Sequence, residues 1–440
     1  MLAAVYRPIR FGELVSLVQY GSSKLASSEP VGIPILRMNN LQPNGWDLTD
    51  LKWVELSESE LETYHLLPGD LLFNRTNSKE LVGKCEVFRE QGEWVFASYL
   101  IRVRTNEKAL NGQFVCDFLN APTGRLQIDQ LSRQIIGMTN INAEEIKSIQ
   151  IPLPTVTRQI ELVTVMDQAR TSLRARLVEA DALLAGIDDY LLDTLGLSLP
   201  PQNNCTVFAV QMRTLDKRID AYSNQSRFKK LFSYIRKSHY RVATFREVAT
   251  RILSGVTPLS KGDAYVSPPG GVRFIRSGEI TNDGEVMPTS EVHLTDAVHD
   301  GMMKHSQLES GDLLIAIVGA TIGAAGVYNR DERANINQAI AAVRLAEGEV
   351  SAEYACLYIS SSFGQALLDY FKRPVARANI NLEEIGEIPL IVPPRPVQDA
   401  IVVESHRRRA EARRLRAEAE AGWQAAKCGF EDELVGRPKP

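Results

Sequence analysis

The densest chemistry in this 440-residue sequence is cationic. Residues 213–241 carry nine basic side chains (Arg213, Lys217, Arg218, Arg227, Lys229, Lys230, Arg236, Lys237 and Arg241) against Asp216 and Asp220, a local charge of +7. Phe228, Leu231, Phe232 and Ile235 recur there at helical spacing, which predicts a helix with one apolar face and an opposite cationic one. Such a face suits phosphate groups, with salt-dependent, sequence-blind affinity, and it equally describes an ordinary solvated helix. A second run, Arg407-Arg408-Arg409 with Arg413, Arg414 and Arg416, is interspersed with Glu404, Glu411 and Glu418. That favours ion pairs within a helix or an acidic protein partner. The chain as a whole is no polycation: 50 Lys and Arg face 54 Asp and Glu, a net charge of −4, so any nucleic-acid site must be local.

Signatures of catalysis are missing. Ser267-Pro268-Pro269-Gly270 loosely resembles the proline pair of amino-methyltransferases, but Gly270 stands where an aromatic should stack on the target base. Gly319 to Gly326 lacks the spacing and the later acidic residue of a dinucleotide loop, and no G-x-x-x-x-G-K-[ST] phosphate loop occurs. His293, His299 and His305 lie in a polar stretch without ligand partners. The expectation is a chain with no catalytic residue, no cofactor and no metal of its own. Five scattered cysteines form no disulfide or zinc pattern and point to a reducing cytoplasm. Met1 to Phe11 lacks the apolar core of a signal peptide. Leu313 to Tyr328 is uncharged but short of the roughly 20 residues a membrane span needs, and its glycines read as strand, turn, strand.

The elements around these residues come in two copies. Asn140-Ile141-Asn142-Ala143-Glu144-Glu145-Ile146 recurs 239 residues later as Asn379-Ile380-Asn381-Leu382-Glu383-Glu384-Ile385. The same offset carries Arg37 to Arg276, Pro154 to Pro393, Gln159 to Gln398, Asp193 to Asp432 and Leu195 to Leu434, and small slips carry Gly69-Asp70-Leu71-Leu72 to Gly311-Asp312-Leu313-Leu314 and Gly83 to Gly323. A period this long is a duplicated domain. Each copy begins with short β-rich runs among Gly, Asn and Pro turns, an α/β globule, and ends in a helix of about 37 residues. Val163, Met166, Leu173, Leu177, Ala180, Leu184, Ile187 and Leu191 form a heptad seam, interrupted where Arg170 stands. Ala412, Leu415, Ala419, Trp423, Ala426, Phe430 and Leu434 do the same in the second copy. The boundaries read as a first globule over 1–156, a long helix over 157–197, a basic connector over 198–243, a second globule over 244–394 and a second long helix over 395–436. Two such helices pair most economically with each other, antiparallel, with a pseudo-twofold axis relating a globule at each end of a rod roughly 55 Å long. The alternative is that each packs back on its own globule.

Two α/β globules, two heptad helices, G-D-L-L strands and an N-I-N turn ahead of a P-x-x-x-x-Q helix start resemble the specificity (S) subunit of type I restriction–modification enzymes, over nearly the whole chain. The resemblance implies that each globule is a target recognition domain reading half of a split site in double-stranded DNA. It implies too that the helices space the two and dock two methyltransferase (M) subunits, with restriction/translocase (R) subunits joining in host defence. S-adenosylmethionine, ATP and Mg would belong to those partners, and no membrane is involved. Gly69-Asp70-Leu71-Leu72-Phe73-Asn74-Arg75-Thr76-Asn77-Ser78 is close to the family's pattern, whereas Ile315-Ala316-Ile317-Val318-Gly319-Ala320-Thr321 has no Arg or Asn. A coiled-coil scaffold using its globules for protein contacts is the alternative from another class.

Under that resemblance the base readers are side chains whose donors and acceptors match base edges, Arg for guanine and Asn or Gln for adenine. Arg37, Asn39 and Asn40 follow Ile35-Leu36, and Asn74, Arg75, Asn77 and Lys79 follow Leu71-Leu72-Phe73. Arg276, Ser277, Thr321 and Arg377 occupy comparable places in the second copy, with Arg227, Lys229, Lys230, Arg236 and Lys237 for phosphates. Arg37 and Arg276, kept across a duplication that should read different half-sites, fit a structural role better. Asn140, Asn142, Asn379 and Asn381 read as turn and cap residues.

Overall fold

In a computed structural model, the described residues are 5–42, 45–135, 138–201, 208–210, 220–259, 263–281, 283–287, 289, 292–372 and 379–436. The chain divides into two units, residues 1–179 with 414–440, and residues 180–413. Both are mixed α/β.

In the first unit an antiparallel sheet runs in the order Val15–Tyr20, Leu100–Thr105, Leu71–Asn74, Cys85–Val87. The helices Gly112–Asn120 and Pro122–Leu131 supply Phe114, Phe118 and Ile128 to a core shared with Leu71, Phe73, Ile101 and Val103. A smaller sheet orders Val95–Phe96, Ile33–Leu36 and Lys52–Val54. In the second unit the corresponding sheet is Ala249–Ser254, Ile340–Leu345, Asp312–Ala316, Ala325–Tyr328, covered by helices Ala352–Ser360 and Ser362–Phe371. The uncharged stretch 313–328 is thus two paired strands around a turn in which Gly319 and Gly323 take positive φ.

Residues matched across the duplication do matching work. Asp70 and Asp312, both buried, each take a two-pronged grip from an arginine on the adjacent strand. Arg104 Nε and Nη2 reach Asp70 at 2.5 and 2.9 Å, and Arg344 Nε and Nη2 reach Asp312 at 2.8 and 2.8 Å. The carboxylate pushes each guanidinium above its ordinary range. Asn142 and Asn381 cap the helices Ala143–Ser148 and Leu382–Glu387, each in a reciprocal box with the glutamate three residues on. Gln159 and Gln398 are fully buried. Gln159 donates to the carbonyls of Pro154 (2.9 Å) and Ala109 (3.1 Å) and accepts from Asn111 N–H (2.8 Å). Gln398 donates to Pro393 and Glu349 (both 2.9 Å) and accepts from Ser351 N–H (2.9 Å).

The long helices span Val156–Leu195 and Arg395–Val435. Each contributes to both units, and within each unit their segments run antiparallel. In the first, Arg158 meets Glu433 at 2.9 Å and Arg176 meets Glu418 at 3.0 Å; in the second, Arg408 hydrogen-bonds the Gly186 carbonyl. The two packing schemes open in the sequence therefore both occur, because the segments pair with each other and also join the globule cores. Leu162, Val163 and Met166 share the first core with Phe430, Leu434 and Val435, while Leu191, Leu192 and Leu195 share the second with Ile401 and Val402. The later end of each helix also caps a globule helix. Glu431 accepts Thr123 N–H at 2.5 Å and its hydroxyl, and Asp188 accepts Ser362 N–H at 2.9 Å and its hydroxyl at 2.5 Å. Arg170, the break in the seam, donates to Asp117 (2.6 Å) and Asp167 (2.6 Å) and lies 5.8 Å from the Trp423 ring centre. On the second helix Glu404 holds Arg407 and Arg408, each at 2.7 Å, and Glu418 holds Arg414 at 2.5 Å.

Candidate nucleic-acid interface

Strand Leu71–Asn74 delivers Arg75 to the surface of the first unit. Arg75 N–H donates to the Tyr99 carbonyl and its own carbonyl accepts from Ile141 N–H, both at 3.0 Å, so the backbone is held from two sides. The guanidinium carbon lies 4.9 Å from the Tyr20 ring centre, a cation–π arrangement. Tyr20 ends the strand Val15–Tyr20, and its hydroxyl accepts Ala143 N–H at 3.0 Å, which fixes the ring from below. Gly21 makes this possible, since a Cβ there would sit 2.3 Å from the Phe96 carbonyl oxygen. Tyr20 and Tyr99 remain 40% and 48% exposed. Neither tyrosine stood out in the sequence; exposed aromatics flanking a strand-end arginine become visible only once three segments converge.

The other expected readers of this unit divide by burial. Asn39 and Lys79 are exposed. Half-buried Asn77 accepts Ser78 N–H at 2.9 Å. Arg37 donates to the Asp50 carbonyl (2.9 Å) and carboxylate (3.1 Å), in keeping with a structural role. Asn40 and Asn74 correct the expectation of readers, because both are buried with their amides engaged by the fold. Asn40, 2% exposed, donates to the Asp47 and Asp50 carbonyls at 2.9 and 3.0 Å and accepts Arg37 N–H at 3.0 Å. Asn74, 0% exposed, bonds Leu81 O and Thr76 N, each at 3.4 Å.

In the second unit Arg276 is exposed, 5.9 Å from the Phe274 ring centre, while Ser277 is half-buried and Thr321 is exposed in its loop. Arg377 lies outside the described residues, as do Arg213, Lys217 and Arg218 of the connector. Ile317 N–H bonds the Ala339 carbonyl and Ile380 N–H bonds the Ile317 carbonyl, which makes Ile317 the counterpart of Arg75 and Ala339 that of Tyr99. Gly255, pressed on the Ile336 carbonyl, matches Gly21, so Ser254 matches Tyr20. The connector helix forms over Ser226–Arg236, burying Phe228, Leu231 and Ile235 and leaving Lys229, Lys230, Arg236 and Lys237 exposed. Arg227 is drawn inward by Asp369 at 3.0 Å and the Phe228 ring at 4.4 Å.

No protein-family model matches the chain. Over 168 residues it is 31% identical to the type I restriction enzyme EcoKI specificity subunit of Escherichia coli K12, covering 38% of this chain and 36% of that protein. Over 342 residues it is 22% identical to the type I restriction enzyme EcoBI specificity subunit of Escherichia coli, covering 71% and 67%. The sequence resembles type I specificity subunits. The likeness to the EcoKI specificity subunit spans little more than a third of that relative's length. A chain from a solved type I R-M system matches with a TM-score of 0.61 over 97% of both chains at 14% identity, which is a likeness of fold. Among the described residues no helix is long and apolar enough to cross a membrane.

Proposed function

We propose that the chain is the DNA-sequence-specificity subunit of a type I restriction–modification complex in the cytoplasm. The observation that carries this is the sequence relation to specificity subunits of two Escherichia coli enzymes. The scaffold alternative finds no comparable relative in these matches. On this reading each unit reads one half of a split site in double-stranded DNA, and the cationic face of the connector helix adds sequence-blind affinity for phosphates. The long helices dock two methyltransferase subunits and, through them, restriction/translocase subunits. The chain acts by binding. S-adenosylmethionine, ATP and Mg serve the partners.

Purified alone, the chain is expected to show neither methyl transfer nor DNA cleavage, and to gain sequence-specific binding to a randomised duplex library when mixed with its methyltransferase. Methyl transfer by the isolated chain, or a complex without sequence preference, overturns the reading.

A further inference from the structure

Resting on that reading, we propose that Arg75 reads a guanine in the first half-site through its two terminal nitrogens, with Tyr20 as its platform. In this globule the guanidinium groups of Arg37, Arg102, Arg104, Arg125 and Arg170 each hold a carboxylate or a carbonyl. Among the described residues the half-buried Arg75 guanidinium makes neither a hydrogen bond nor an ion pair. Its Nε is buried without a partner, whereas neither Nη1 nor Nη2 is fully buried. The group is therefore held by a cation–π contact to Tyr20, with its two terminal donors making no hydrogen bond among the described residues. That is the donor pair guanine O6 and N7 accept in the major groove.

A phosphate would also accept two donors, and the duplication argues against it. A backbone contact serves any sequence, so it would be useful in both units, yet Ile317, Ser254 and Ala339 replace Arg75, Tyr20 and Tyr99 in the second. Divergence at these three positions within a kept fold is what two readers of different half-sites require.

The test uses the assembled complex with its methyltransferase. Selection from a randomised duplex library defines the wild-type site and the sites of Arg75→Gln and Arg75→Lys. Arg75→Gln is expected to lose preference at one guanine of one half-site, by roughly ten- to a hundredfold, with the other half-site and the spacer unchanged. Duplexes in which each guanine of the wild-type site is replaced in turn by 7-deazaguanine, lacking the N7 acceptor, probe the unmodified protein. One replacement is expected to weaken wild-type binding while leaving Arg75→Gln indifferent. A variant that keeps every base preference overturns the assignment, as does one that loses affinity evenly across the library, the mark of a phosphate contact. Wild-type binding insensitive to every 7-deazaguanine overturns it even if the variants fail to fold. A wild-type complex without sequence preference overturns the underlying reading as well.

Discussion

Gln159 and Gln398 show how much one side chain can fix. Each ties the start of a long helix to a turn of its own unit with three hydrogen bonds and no exposed surface. Replacing either by leucine strands buried backbone groups, so Gln159→Leu and Gln398→Leu are each expected to destabilise their own unit by about 2–4 kcal/mol. Urea denaturation followed by hydrogen exchange at Asn111 and at Ser351 reads the two units separately. The Arg170–Asp117 pair poses a different balance. Asp117→Ala leaves a buried guanidinium short of a partner and should cost about 3 kcal/mol. The double change Arg170→Leu with Asp117→Leu should recover most of that loss, which a double-mutant cycle by denaturation measures. At this scale the sequence was legible where a residue recurs in both copies and opaque where polarity misleads. Asn40 and Asn74 look like readers because an amide matches a base edge, but the same donors and acceptor also satisfy backbone groups inside a turn. Arg170 looked like a flaw in the seam because its partner, Asp117, lies 53 residues away on another helix.

The long helices were the most legible elements, since a 3.5-residue repeat sustained over many turns has few other interpretations. They begin at Val156 and Arg395, each two residues past a proline, Pro154 and Pro393, whose fixed φ suits the approach to a helix start. The heptad did not disclose which unit each segment completes. The division falls between Glu179 and Ala180 in one helix and between Arg413 and Arg414 in the other. Inserting seven residues at both places preserves the seam and adds roughly 10 Å of helix between the segments that each unit holds. If the chain reads a split site, the unread spacer should lengthen by up to about three base pairs while both half-sites stay the same, as DNA rises about 3.4 Å per base pair. Methylome sequencing of cells carrying the variant checks this; altered half-sites with an unchanged spacer would show that these helices do not set the distance. Inserting four residues turns the seam out of register and should lower stability instead.

At the scale of the chain, its first and last described stretches meet. Val5 N–H donates to the Leu434 carbonyl at 3.1 Å, which a short linker from residue 436 back to residue 5 would span. A circular permutant so joined, and opened between Leu199 and Asn204, is expected to fold and keep its DNA specificity, and library selection with the permuted complex decides. The meeting of these stretches belongs to the interleaving already seen at Glu431 and Asp188, and that arrangement fixes an order of events during translation. Every residue of the second unit, 180–413, has been made before residue 414 is added, whereas the first unit waits for Phe430, Glu431 and Leu434. The half of the chain that is synthesised first is therefore finished last, the reverse of the usual N-to-C order. A chain stopped after Arg413 should yield a protease-resistant second unit beside a first unit that is readily cleaved, as limited proteolysis with mass spectrometry would show. Until its final turns emerge, the nascent protein carries Phe114 and its neighbours uncovered, so the ribosome-bound first unit is where chaperone protection is needed.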